Sequence, residues 1–299
     1  MIFFLFLGHF QCKELFSLGN YNNCHEVKAR IFNQTKLFEN CYIITKSSFE
    51  NCISGSQNNG GAIYMSNHSG ILLLDATLFS QCTAYDARNG NGGAIYASCM
   101  KFQMYKCKCV QCYSDWIGQA IFAQINGDTS FNDTTVSYCA PNKIFGAFYS
   151  VNFLSNYLVS KNINSTDNRL MEYGASIHFQ TCPAAIASHY NVAFNVGRSI
   201  FCVSTTENQK NAFSYINFVS NKADIPGVIM FSGTSTFEDC VFLNNTGTLI
   251  SVNWEYSGLL YLNRCTFDIP PTQSEFIETI SCKIKLDLTL KSCKKSPFI

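Results

Sequence analysis

The sequence predicts an all-β fold: a parallel β-helix (solenoid) of about nine coils, roughly 27 residues each. Three observations predict it. A Gly-Gly-Ala-Ile-Tyr string recurs in progressively degraded copies, an apolar-x-x-Cys/Asn marker alternates with it, and residues around both alternate as in strands with no helical period.

The first marker is identical at residues 60–64 and 92–96, where Gly60, Gly61 and Ile63 match Gly92, Gly93 and Ile95. Aligned on the aliphatic slot, the series runs Ile63, Ile95, Ile121, Phe148, Ile177, Ile200, Ile229, Leu249 and Phe276. The second marker appears as Phe49/Cys52, Phe79/Cys82, Cys109/Cys112, Val136/Cys139, Val159/Asn162, Val192/Asn195, Phe218/Asn221, Phe242/Asn245 and, imperfectly, Phe267/Pro270. Two columns in step along one chain are far harder to obtain by chance than either alone.

A unit of this length is too short for a propeller blade of roughly 40–50 residues and lacks a leucine-rich frame. Three short strands and three turns fit. Stacked at about 4.8 Å, each column becomes a ladder of like side chains. The glycines permit the tight bend into the strand, and Asn at a turn tolerates left-handed backbone while stacking its amide. Residues 46–280 then form one solenoid. Residues 1–45 hold a signal segment and an N-terminal cap, and 281–299 a C-terminal cap or tail.

Composition agrees. Charged residues are only 14%, against an ordinary share of about 25%, while Asn (29), Ser (30) and Thr (19) supply the polar bulk. Like charges repeating every rung would repel, whereas amides and hydroxyls can bond along the stack. An aromatic share of 14% excludes a disordered chain, and a net charge of +1 leaves no footprint for nucleic acid. The apolar start Met1–Leu7 reads as the hydrophobic region of a short signal peptide, and no later stretch approaches the ~18 apolar residues of a membrane span.

Among the 16 cysteines, Cys52, Cys82, Cys112 and Cys139 share the column that Asn221 and Asn245 occupy later. Stacked Cα atoms lie within disulfide range, yet an unbridged thiol could equally replace a stacked Asn. Cys240 and Cys265 are the next candidate pair. Cys107, Cys109 and Cys112 have spacing that could share a zinc ion, but the repeat places them in three different columns, so no metal or cofactor is expected.

After the aliphatic slot runs an aromatic one: Tyr64, Tyr96, Phe122, Tyr149, His178 and Phe201. Strand alternation puts it on the outer face. It reads first as a ladder stabilising one sheet, and secondly as a stripe that could stack on sugar rings or dock a partner. Carbohydrate-cleaving chemistry needs clustered carboxylates. The 10 Asp and 10 Glu are spread thinly and none recurs in a column, so a non-enzymatic role is expected, with a polysaccharide lyase or hydrolase as the alternative.

The pairing of Gly-Gly-Ala-Ile with Phe-x-x-Asn, intact at 60–63, 92–95, Phe218–Asn221 and Phe242–Asn245, resembles the repeats of chlamydial polymorphic outer membrane proteins. Similar repeats occur in large surface proteins of parasitic protists, and Phe79–Cys82, with Cys for Asn, is closer to those. The resemblance runs from about 46 to 280. It implies a right-handed β-helical module at a cell surface or in the extracellular space, used for adhesion or antigenic display, with a host glycan or protein as partner.

Overall fold

The computed structural model describes residues 13–17, 20–22, 41–54, 59–84, 90–139, 149–170, 175–180, 184–205, 210–252, 258–271 and 276–284. The strands pair in parallel into sheets of 16, 11 and 3 strands, which we call the large, second and third sheets. The described residues contain no helix, hence none long and apolar enough to cross a membrane. The proposed signal at Met1–Leu7 lies outside the described residues.

One coil shows how the chain is used. Ile63–Asp75 runs along the large sheet in two arms, with a register shift against the next coil between Asn67 and Ile71. A corner at Ala76 leads into Leu78–Ser80 of the second sheet, and a corner at Gln81 into Thr83–Ala84 of the third. The following coil repeats this path as Ile95–Tyr105, Lys108–Val110 and Tyr113–Ser114.

Pairing register defines the aliphatic column as Ile63, Ile95, Ile121, Val151, Ile177, Phe201, Ile229 and Ile250. That makes seven complete turns of about 27 residues, flanked by incomplete turns. The expected nine counted marker copies that belong to those partial ends.

Register also corrects individual assignments. Phe148 lies outside the described residues, and Val151 holds its slot. Ile200 and Leu249 are each one residue off, because Phe201 and Ile250 pair with Ile229. An irregularity between Gly197 and Ser199 accompanies the first offset, and a one-residue slip exchanges the faces of a strand. Phe201 therefore points into the core rather than joining the outer stripe. Ile277, beside Phe276, pairs with Leu260 in the second arm. The fifth copy of the second marker is Ser165/Asn168, not Val159/Asn162: Ser165 aligns with Val136 and Val192. A hydroxyl in that apolar column is tolerated because it meets Ser176 Oγ and accepts from Asn168 Nδ2.

The corners are chemically plain. All eighteen non-glycine residues with positive φ fall into two columns, one at Lys46, Ala76, Lys106 and their equivalents, the other at Asn51, Gln81, Gln111 and theirs. Left-handed backbone costs about 1–2 kcal/mol per residue. The stack offsets it: the corner N–H of Lys46, Ala76 and Gln81 each donates to a carbonyl of the next coil at 2.9 Å. Corner to corner is five residues in each of the eight coils that have both, from Lys46/Asn51 to Asp239/Asn244.

Glycine serves two distinct needs. Gly60, Gly92 and Gly118 take φ of 69°, 68° and 73° at the bend entering the large sheet. Gly61 and Gly93 are required by close approach instead, since a Cβ would lie 2.2 Å and 2.1 Å from the backbone oxygens of Gly93 and Gln119. The core is aromatic-rich: Phe218, Phe242 and Phe267 stack with centroids 4.8 Å apart.

Candidate functional site

Two columns carry the chemistry of this fold, one inside and one outside. The inner one follows the second corner: Cys52, Cys82, Cys112 and Cys139, then Asn168, Asn195, Asn221 and Asn245, all buried. Each Asn amide donates to a carbonyl of the preceding coil, as Asn221 Nδ2 does to Val192 O and Asn245 Nδ2 to Phe218 O, both at 2.8 Å. The thiols imitate this bond, with Cys82 Sγ donating to Phe49 O at 3.4 Å and Cys112 Sγ to Phe79 O at 3.7 Å. The Asn side chain does more. Its Oδ1 accepts both the backbone N–H and the amide of the Asn one coil earlier, as Asn245 does from Asn221, each at 3.0 Å.

Cys82, Cys112 and Cys139 are unbridged thiols, so this column is not cross-linked, and neither are Cys240 and Cys265. Cys41, by contrast, is disulfide-bonded. Contact with the Cys112 thiol holds Cys82 well above the ordinary thiol range, and burial does the same for Cys109 and Cys112. Burial also pushes Cys107 up to about 12. These are neutral thiols in an apolar interior, whereas a zinc ligand is a thiolate. Among the described residues no three His, Cys, Asp or Glu side chains gather in a metal-binding arrangement.

The outer column lies on the first arm of the large sheet. Tyr64, Tyr96 and Phe122 stack with centroids 5.2 Å apart and planes within 16° and 9° of parallel. They are half-buried, and each ring's face is taken by its neighbour, so the ladder turns mainly edges outward. The next residues in register are Asn152, His178 and Cys202, which are 0%, 3% and 0% exposed. Tyr149 is not in this column. It pairs with Ala175, three residues before His178, and its ring reaches across to within 4.0 Å of the His178 ring. The misplaced Phe148 slot carried Tyr149 with it.

Asn, His and Cys in consecutive rungs are the residue types of a thiol nucleophile with its base. The geometry gives them another character. His178 Nε2 lies 3.1 Å from Ser204 Oγ, which in turn lies 3.5 Å from Cys202 Sγ. His178 Nδ1 and both amide atoms of Asn152 have no hydrogen-bond partner. Burial holds the imidazole down at about 3 and the Cys202 thiol up at about 12, so both shifts oppose moving the thiol proton to the ring. Both groups stay neutral and sealed. Asn152 escapes the sequence markers because Phe148 stands three residues before the true slot at Val151, and Cys202 and Ser204 escape them because Ile200 stands one residue before Phe201. With Val151 in the slot, Asn152, His178 and Cys202 align one residue after it.

Fold and site together define a parallel β-solenoid whose interior and outer face are organised as ladders. No protein-family model, curated protein or solved structure matches the chain.

Proposed function

We propose that this chain is a non-enzymatic β-helical module that acts outside the cell or at its surface, in adhesion, antigenic display or structural spacing. One observation carries the reading: each coil divides into a constant block and variable segments. From the start of the second arm through both corners the chain takes eleven residues every time, as in Ile71–Gln81, Lys101–Gln111, Asp128–Tyr138 and Tyr157–Asp167. Length varies elsewhere. The path from the second corner to the aliphatic column spans 14 residues after Gln81 and seven after Phe194. A frame that holds its rungs while two segments per coil change length suits a scaffold presenting varied surface loops. The Cys41 disulfide agrees with an oxidising compartment. The partner would be a glycan or protein of an opposing surface.

The test is binding of the purified chain to a glycan array and to intact cells, alongside a variant with residues 85–89 exchanged for Gly and Ser. Binding that falls in the variant while its β-type circular dichroism is unchanged supports the module. Cleavage of a polysaccharide by the native chain would overturn it in favour of a carbohydrate-active enzyme.

A further inference from the structure

The last described coils carry a second set of stacked cysteines that differs from the sealed ones. Cys240, Cys265 and Cys282 each follow a first corner, at Asp239, Arg264 and Ser281, and so occupy one column in three successive coils. Register holds them together: Thr266 N donates to Cys240 O and Lys283 N to Cys265 O, both at 2.8 Å. Parallel spacing places successive Cα atoms about 4.8 Å apart, inside the ~4.4–6.8 Å window of a disulfide. Each thiol donates to a backbone carbonyl across the stack or within its own turn, Cys265 Sγ to Phe237 O at 3.5 Å and Cys282 Sγ to Leu262 O at 3.1 Å.

Solvent access separates this column from the inner one. Cys240 and Cys265 are fully buried, but Cys282 is half-buried. In the last described rung, Ile280 is 44% and Ile284 55% exposed. Ile284 sits in the column of Phe242 and Phe267, which are inaccessible one and two coils earlier. A surface thiol is thus backed by two buried ones in line.

We infer that the Cys240–Cys265–Cys282 column is a thiol–disulfide exchange site whose substrate is a small, solvent-borne disulfide. The Cys282 thiolate attacks one sulfur of the reagent, forming a mixed disulfide and releasing one thiolate leaving group. The Cys265 thiolate then attacks Cys282 Sγ, closing a Cys265–Cys282 bond and releasing the second half of the reagent. Two protein thiols lose two electrons, the reagent disulfide gains them, and the two protons end on the two released thiols. The thiol contact from Cys240 holds Cys265 below the ordinary thiol range, which suits the resolving role, while burial raises Cys282. The product staples the last two described coils.

The probe is oxidised glutathione added to the full native chain, with acid quench, alkylation and peptide mapping by mass spectrometry. The expected result is transient glutathione on Cys282 followed by a linked Cys265–Cys282 peptide, with Cys82 and Cys112 unmodified until urea is added. Cys282→Ser is expected to lower glutathione consumption on the order of tenfold or more. Cys265→Ser should trap glutathione on Cys282. Because Cys265 is buried and its replacement puts folding at risk, the native chain decides: glutathione that stays on Cys282 with no linked peptide overturns the inference, as does an unreactive Cys282.

Discussion

Replacing Asn221 with Ala tests whether the amide ladder holds the coils together. Asn221 is 1% exposed and makes four bonds: Nδ2 donates to Val192 O at 2.8 Å and to Asn245 Oδ1 at 3.0 Å, while Oδ1 accepts from Asn195 N at 3.0 Å and Asn195 Nδ2 at 3.1 Å. Truncation does not affect all four partners equally. Asn195 Nδ2 still reaches Ser165 O at 2.9 Å, and Asn245 Oδ1 still accepts from Asn221 N at 3.0 Å. Asn195 N–H and Val192 C=O lose the partner that Asn221 supplied. Stranding a buried polar group costs about 1–3 kcal/mol, and the void left by the carboxamide adds about 1 kcal/mol, so for the two groups the expected loss is roughly 3–7 kcal/mol. Asn221→Cys keeps a donor to Val192 O, as Cys82 does to Phe49 O at 3.4 Å, and should lose about half as much. Urea unfolding followed by far-ultraviolet circular dichroism measures both. A loss below about 1 kcal/mol for Ala, or no advantage of Cys over Ala, would refute the ladder as the source of cohesion.

Three further outcomes follow from the same structure. Gly93→Ala should fail to give folded soluble protein, because its Cβ would meet Gln119 O at 2.1 Å and Tyr113 O at 2.4 Å, both backbone; a native thermal transition in this variant would contradict the close approach. His178 titrates near 6.5 unfolded but at about 3 folded, so the unfolded chain binds the extra proton and stability drops as pH falls through that window. The loss should reach roughly 3 kcal/mol by about pH 4.5, and His178→Phe should flatten this part of the pH profile in urea titrations while leaving the carboxylate part. Arg264 pairs with Glu238 and Asp239 at 2.7 Å, yet its side chain is 55% exposed. Arg264→Ala should therefore cost little stability, and thermal melts in high salt should erase the difference.

Most of the architecture was legible from the markers because a column is a one-dimensional pattern. Phe49/Cys52, Phe79/Cys82 and Phe242/Asn245 stack as aligned. The failures have a shared cause. Wherever a coil inserts residues or admits a polar group to an apolar column, local text no longer marks the rung. Ser165 broke the apolar-x-x-Asn pattern, and hydrogen bonds to Ser176 and Asn168 that make it acceptable come from residues 11 and three positions along. The marker offsets of three residues at Val151 and one at Phe201 hide the Asn152–His178–Cys202 column, and the first puts Tyr149 in a ladder it does not join.

The sequence by itself determined the repeat length, the parallel solenoid and the residue types that alternate in and out. Those properties follow from period-two strands and from like residues recurring at one spacing. Only the tertiary structure decided the register of individual rungs, the unbridged state of the column thiols and the burial of His178 and Cys202 on a nominally outer face. Each of these depends on what lies one coil away, about 4.8 Å in space but some 27 residues along the chain.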